Sequence, residues 1–460
     1  MIISFFRNKS AIFFLFLLLF LTNQLICITD VRPVMYDESW YASTGYNMAK
    51  GLGIRNTIVG SGGDVNFVFP LFNAFFFKLF GYNLTSIRHT AVFFGLITII
   101  AIYSFLKKNN FDNRSTFLTL FIFSSLTLFN TVFRFGRPEC ASLAFLSIGI
   151  IAFGAFLSER SYKSIIILSL SALLSGLSHP FTLLPYCIMG TLLVINDARS
   201  HNLKQDFLKL LIFLCSGLAV IITLYCLSSD SSGITERYSL SNIKNSIPFY
   251  LKESFLSRQV IVTVPTLAII ISQLFGKRNK LSKYLSITAL AVFVIFPVLF
   301  TTDIMMVGLG LDYVAIISIF VFPFLIKDIT QNLHKSRFLL IGISLFCAAN
   351  IAISYYYNFA VKYEKVNSIL SKEMNEIIPE GANVFGAIRL WPFAMNTMYI
   401  SDHYRLELPD YDGLDYIITS SQDIDRYSSY NKYKPYLMEG NIVYSKETRQ
   451  YGTVNVYKCK

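Results

Sequence analysis

The sequence predicts a mostly α-helical, polytopic integral membrane protein of about eleven transmembrane helices, with interfacial helices in its first outer loop and a small C-terminal α/β outer domain. Three observations carry that expectation. Of 460 residues, 54% are hydrophobic and only 15% charged, which leaves too little polar surface to cover soluble domains of this total length. Apolar runs long enough to cross a bilayer recur throughout residues 1–357. Residues 358–460 lose those runs and show one amphipathic helical pattern and several short strand-like segments. Aromatics at 16% exclude a disordered chain, and long runs in place of short alternating ones exclude an outer-membrane barrel.

The first element is AIFFLFLLLFLTNQLICI, preceded by Arg7 and Lys9. No small-x-small cleavage site follows it, so it reads as an uncleaved anchor. Further spans are expected near 87–106, 115–133, 139–157, 164–178, 180–195, 207–227, 259–275, 284–301, 312–326 and 338–357. The stretch NFVFPLFNAFFFKLFG (66–81) is short, interrupted by Pro70 and contains Lys78. As a span it would carry Lys107 and Lys108 outside, so it is read as an interfacial helix. The basic residues then collect on one side, among them Lys107, Lys108, Arg114, Arg160, Lys163, Lys277, Arg278, Lys335 and Arg337. An odd number of spans puts the N-terminus in the cytoplasm and the C-terminal domain in the periplasm or outside the cell, across the inner (plasma) membrane. The chain divides into a multi-span domain, 1–357, and a soluble outer-face α/β domain, 358–460. The long outer segments are 30–86, 228–258 and the tail, where chemistry is expected.

In the tail, KVNSILSKEMNEII is a helical pattern, PEGANV a turn, and VFGAI, LDYIITS, NIVYS and GTVNVYK strands. The net charge of +12 belongs to the membrane part: 28 of the 40 basic and 15 of the 28 acidic residues lie in 1–357. The positive-inside rule accounts for it, and no nucleic-acid partner is expected. The seven cysteines show no CxxC or Cys/His metal spacing, so neither a disulfide framework nor a zinc site is expected.

The first outer loop contains D-V-R-P-V-M-Y-D-E-S-W-Y, with Asp37 and Glu38 adjacent. Tyr41, Gly45, Met48 and Leu52 fall on one face and Gly51 and Gly53 stop the pattern, so a short surface helix follows the acids. One reading makes Asp37 the cap of that helix, with Glu38 at its positive end. The other makes the pair chemical. Transfer of a sugar from a lipid phosphate needs a base for the acceptor hydroxyl and positive charge or a metal for the leaving phosphate.

An apolar first span, a D-E pair followed by an aromatic and a short helix, then F-x-F-P-L and K-L-F-G-Y-N-L-T-S-I-R before the next span, resembles the C-type glycosyltransferase superfamily. The likeness is to the protein O-mannosyltransferase and lipid A aminoarabinose transferase type, and the tail's I-P-E-G-A-N-V and L-D-Y-I-I-T fit the same pattern. The resemblance implies a glycosyltransferase using an undecaprenyl- or dolichyl-phosphate sugar at the outer face, with a lipid, glycan or protein acceptor. It implies Asp37 as the base, and Glu38 either orienting the loop or contacting the acceptor or a metal. A divalent metal is left open, and no other cofactor is implied. Phe69-Pro70 stands where the family often has His-Pro or Lys-Pro, and Asp312-Tyr313 where it often has Arg-Tyr, so no role transfers to those positions.

A second acid, Glu139, lies in R-F-G-R-P-E-C beside Arg134 and Arg137. Similar enzymes carry an acid here, while the bland reading pairs it with Arg137; the two arginines also suit the donor phosphate. His179 in G-L-S-H-P-F is a ligand or a turn histidine satisfied by backbone. Lys252 and Arg258, between aromatics on 228–258, are donor-phosphate candidates or part of a membrane-surface face. The rival function is a transporter or flippase of lipid-linked sugars, and a third is a non-catalytic scaffold. Transport paths place ionisable groups deep in spans, and these runs are nearly free of them.

Overall fold

A computed structural model of the chain describes residues 8–459 apart from 31, 55, 61–65, 200–202, 228–239, 257–259, 276–278, 300–303, 331–340, 344, 353–364, 405–406, 425–427 and 438–440. The chain forms two compact units. One comprises Met1–Asn23, Phe93–Phe133 and Glu139–Ser354; the other comprises Gln24–Val92, Arg134–Pro138 and Tyr355–Lys460.

The first is the membrane unit. Among the described residues of the whole chain, five helical stretches have the length and hydropathy of a bilayer crossing: Leu84–Lys108, Pro138–Glu159, Pro180–Arg199, Asp206–Thr223 and Gly310–Ile329. Lys9–Leu25 and Tyr162–Ser178 are apolar but shorter, at 17 residues each. The run expected as a single span at 115–133 is two helices, Asn113–Ser125 and Thr127–Val132, because Leu126 between them is extended (ψ 121°). Residues expected as loop in 228–258 include the helix Leu240–Leu256. Helix starts follow the capping rule: Asp112 accepts from Ser115 N at 2.9 Å, and Ser161 from Ser164 N at 3.2 Å. Hydroxyls within the apolar helices bond back to the carbonyl four residues earlier, as Thr98 to Phe94, Ser147 to Leu143 and Ser318 to Val314 do. That satisfies them without water, which is the condition for a polar group in lipid.

Charge enters this unit at the loops read as cytoplasmic. The Arg160 guanidinium pairs with the buried Asp197 and, at 3.2 Å, with Asp206; Lys209 reaches Asp206 at 2.6 Å and Asn196 Nδ2 donates to Asp197 at 2.8 Å. Each buried acid has an opposite charge and a hydrogen bond, the condition on which such groups are tolerated. The cluster ties the start of helix Leu203–Leu227 to the end of helix Leu183–Arg199 and to the turn at Arg160.

The second unit joins the loop that follows the first helix to the tail. Its sheet has strands β1 Asn383–Gly386, β2 Met398–Ser401, β3 Tyr416–Ser420, β4 Ile442–Thr448 and β5 Gly452–Lys458, in the order β2-β1-β3-β5-β4. β1 runs parallel to β2 and β3, and β5 antiparallel to β3 and β4. Adjacent residues face opposite ways, so Val384 and Ile418 enter one core while Phe385 and Ile417 enter another with Tyr430 and Tyr433. Burial on both faces explains why VFGAI and LDYIITS read as nearly continuous apolar runs. Helix Val366–Ile377 lays Val366, Leu370 and Met374 on the sheet, and its Glu373 takes Lys446 at 2.9 Å and the Tyr444 hydroxyl.

The larger core belongs equally to the first loop. Val34, Ala42, Phe77 and Ile87 sit in one cluster with Leu370, Val384, Trp391 and Val454. Helices Tyr36–Ala49 and Val68–Phe80 cross so closely that a Cβ on Gly45 would stand 2.7 Å from Asn73 Cβ and from the Pro70 carbonyl oxygen, so only glycine fits. The opposite face of Val68–Phe80 leaves Leu71, Phe75, Leu79 and Phe80 exposed. A short helix with one face packed and the other apolar and uncovered is the form expected of an interfacial helix.

Candidate active site

Helix Tyr36–Ala49 leaves an extended Met35 (φ −79°, ψ 148°), and its first turn carries both acids of the D-E pair. They have different fates. Glu38 is fully buried; its Oε1 accepts from Arg88 Nε at 2.8 Å and from Gly136 N at 3.2 Å, and its Oε2 accepts from Arg88 Nη2 at 3.2 Å and from Met35 N at 3.0 Å. The helix start is therefore satisfied by Glu38, the residue at the third helical position, and not by Asp37. Arg88, 1% exposed, spends its other N–H groups on the carbonyls of Ile28 at 2.7 Å, Thr29 at 3.0 Å and Arg32 at 3.3 Å. This pair holds three stretches of backbone together: residues 28–32, the helix start and the turn at Gly136.

Asp37 points the other way. A quarter of its side chain is exposed, and Arg137 Nη2 approaches its Oδ2 at 3.1 Å. It lines a cleft of about 270 Å³ with Tyr36, Trp40, Tyr41 and His403, the last contributed by the tail. The His403 and Tyr36 rings pack edge to face with their centroids 4.2 Å apart, and His403 Nδ1 is 2.9 Å from Asp402 Oδ1. Asp402 is 5% exposed, and burial pushes its carboxyl above the usual carboxylate range while the hydrogen bond to His403 pulls it back.

Behind the acids the unit is strongly basic. Arg32 and Arg88 each lie 5.5 Å from the ring of Phe135, and Arg134 is 6% exposed with its Nη2 bonded to the Ile26 carbonyl. Burial, then the charges of Arg88 and Arg32, holds the Arg134 guanidinium far below its ordinary value, at about 9. Among the described residues no group of three His, Cys, Asp or Glu stands together to hold a metal, and no step is assigned to one.

In the membrane unit, Glu139 is 5% exposed in the first turn of helix Pro138–Glu159. Its carbonyl accepts from Ser142 Oγ at 2.9 Å; Ser142 Oγ lies 3.3 Å from the Tyr313 hydroxyl, which lies 3.2 Å from His179 Nδ1. His179 N donates to the Ser175 carbonyl at 2.9 Å. The His179 backbone is thus held by the end of the preceding helix, and its ring lies beside the Tyr313 hydroxyl. Lys252 is exposed on helix Leu240–Leu256, and Arg258 lies outside the described residues.

Sequence reasoning missed Arg32, Arg88 and His403. Arg88 carries a signal, a cation near the start of an apolar span, which demands a partner. His403, in S-D-H-Y, carries none.

Residues 64–225 match the family model described as dolichyl-phosphate-mannose-protein mannosyltransferase. The fold is similar to the crystal structure of ArnT from Cupriavidus metallidurans bound to undecaprenyl phosphate, with a TM-score of 0.65, 13% identity and 97% of each chain covered. It is similar also to ArnT from the same organism in the apo state, with a TM-score of 0.64, 12% identity and the same coverage. No curated protein gives a significant sequence match. The chain therefore resembles the C-type glycosyltransferases in family model and in fold, and is a multi-pass, mostly helical membrane protein of that architecture.

Proposed function

We propose that this protein is a membrane glycosyltransferase that moves one sugar from a polyprenyl-phosphate donor to a hydroxyl of a lipid, glycan or protein acceptor on the outer face. The observation that carries the reading is the division of labour between adjacent acids: Glu38 is sealed against Arg88, while Asp37 opens into an aromatic cleft beside an arginine. Asp37 takes the proton of the acceptor hydroxyl as that oxygen bonds to the anomeric carbon. The bond from the anomeric carbon to the phosphate oxygen breaks, and its electron pair leaves with the lipid phosphate. Arg134 and Arg137 are assigned to stabilise that phosphate, the first from a cluster of guanidiniums with Arg88 and Arg32 and the second beside the base. Lys252 and Arg258 are assigned as further donor contacts, Glu139 as the second acid, and His179 as a polar group of the same reaction. The family model over 64–225 and the undecaprenyl-phosphate complex of the similar ArnT support a lipid-linked donor.

The test is transfer in membrane vesicles containing the full chain and a polyprenyl-phosphate donor with a labelled sugar. Label should leave the lipid with release of polyprenyl phosphate, and Asp37→Asn should abolish it. Movement of intact donor between leaflets with no bond broken would instead identify a flippase. The orientation is tested by cysteine labelling in intact cells, with Ser231→Cys labelled from outside and Asn279→Cys protected.

A further inference from the structure

The turn at Arg134–Pro138 touches both acids of the D-E pair. Gly136 N donates to Glu38 Oε1 at 3.2 Å, and Arg137 Nη2 lies 3.1 Å from Asp37 Oδ2. The backbone of the turn is fixed, since a Cβ on Gly136 would collide with Ile87 Cγ2, and Arg137 N donates to the Phe135 carbonyl at 2.8 Å. The ion pair it carries is not sealed: the Arg137 and Asp37 side chains are 23% and 25% exposed, so they can part without opening a core. Four guanidiniums, those of Arg32, Arg88, Arg134 and Arg137, stand with the two acids of the pair. The nearby Asp30 is turned to Ser368, accepting from its N at 2.9 Å and its Oγ at 2.5 Å. A positive surplus of this kind favours a phosphate beside the turn. One guanidinium neutralises one charge, so an anion that binds Arg137 weakens its hold on Asp37. A carboxylate held by a guanidinium is also a poorer proton acceptor than one that has lost it.

We propose that Arg137 restrains Asp37 until the donor phosphate draws the arginine away, so that the donor binds first and itself activates the base for the acceptor hydroxyl. This rests on the readings of Asp37 as the base and of the donor as a polyprenyl phosphate. The hydroxyl proton passes to Asp37 only where an anomeric carbon stands ready to receive the oxygen. Once that proton has gone on to solvent and the lipid phosphate has left, the ion pair re-forms and the site is reset. Glu38 is excluded from such an exchange, because its partner Arg88 is 1% exposed and bonded to three carbonyls as well.

The full chain is purified in detergent, and its affinity for undecaprenyl phosphate is read from thermal shifts over a concentration series, with undecaprenol as the uncharged control. Asp37→Asn should bind undecaprenyl phosphate about fivefold tighter than wild type, the scale of a partly exposed ion pair, and Arg137→Gln about tenfold more weakly. The two effects must be coupled: in the Arg137→Gln background, Asp37→Asn should change the affinity by less than about twofold. Undecaprenol should bind all four proteins alike. Plain repulsion between Asp37 and the phosphate would tighten binding by Asp37→Asn in both backgrounds, and that result overturns the proposal. So does an Asp37→Asn protein that binds no more tightly than wild type, or one that gains equally for undecaprenol. If Arg137→Gln does not fold, Arg137→Met replaces it, keeping the apolar stem without the charge. A wild-type chain with no affinity for undecaprenyl phosphate would defeat the donor reading and this proposal together. An active Asp37→Asn protein would defeat the catalytic reading and leave the competition for Arg137 standing.

Discussion

Neutralising the two acids of the D-E pair one at a time should give opposite defects. In Glu38→Gln the side chain keeps its length but loses its charge, and one oxygen becomes an amide. Whichever way the amide turns, its NH₂ faces two donors: Arg88 Nε and Gly136 N on one side, or Arg88 Nη2 and Met35 N on the other. Two hydrogen bonds are lost and the guanidinium of Arg88, 1% exposed, keeps its charge with no carboxylate opposite. Breaking a buried pair in this way costs about 3–5 kcal/mol, a large part of the stability of an ordinary domain. Asp37→Asn breaks a pair whose partners are 25% and 23% exposed, where solvent screening holds the loss to about 1 kcal/mol or less. Its turnover should nevertheless fall by roughly a hundredfold or more, the scale set by a positioned proton acceptor. The assay is thermal unfolding of the detergent-purified variants, followed by donor-dependent transfer at a temperature where both remain folded. A Glu38→Gln protein as stable as wild type would refute the structural role. An Asp37→Asn protein with full activity would refute the catalytic one, since Asp37 makes no cap that Asn could merely replace.

With the polyprenyl-phosphate donor proposed above, Arg134→Gln should weaken any stabilisation by added polyprenyl phosphate while leaving the ligand-free protein as stable or more so, because burial and two neighbouring guanidiniums oppose the wild-type charge; thermal shifts with and without the lipid check both signs. Gly45→Ala should destabilise by about 1–3 kcal/mol, since its methyl must push helix Val68–Phe80 off helix Tyr36–Ala49, and the unfolding midpoint reads it. The Glu373 carboxyl is held below its usual 4.5 by Tyr444 and then Lys446, so the unfolded chain takes up the proton first as the pH falls. The stabilisation from this clamp is complete above about pH 4.5 and disappears as the pH drops through the lowered value, so Glu373→Gln should flatten the acid side of the stability profile.

What the sequence made legible follows from how local each signal is. The tail helix and four of the five strands were readable because each is written in consecutive residues: a 3.6-residue period in KVNSILSKEMNEII, and apolar runs between turn residues for the strands. β2, Met398–Ser401, is four residues long with only alternate positions buried, and it escaped. The break at Leu126 escaped for a different reason: a leucine gives no sign that its backbone is extended, and hydropathy averages across it. Asp37 was found from its neighbours and from a family pattern, whereas the pairing that distinguishes it from Glu38 joins residues 38, 88 and 136. His403 was out of reach, since its place in the cleft depends on a turn pinned by Ile58, Gly386 and Ser429.

The same long-range stitching governs when the protein can begin to work. The Tyr451 hydroxyl accepts from Val34 N at 2.7 Å and donates to Asn367 at 2.8 Å, and Asn367 in turn holds the carbonyls of Thr29 and Arg32. The backbone that aims Asp37 is thus braced by residues made more than three hundred positions later. While the ribosome is still adding the intervening helices, the first loop has no finished core to settle on. Synthesis to the final strand is therefore the step that completes the brace on residues 29–34, and with Asp37 as the base proposed above, a chain terminated before Tyr451 should enter the bilayer without transfer activity.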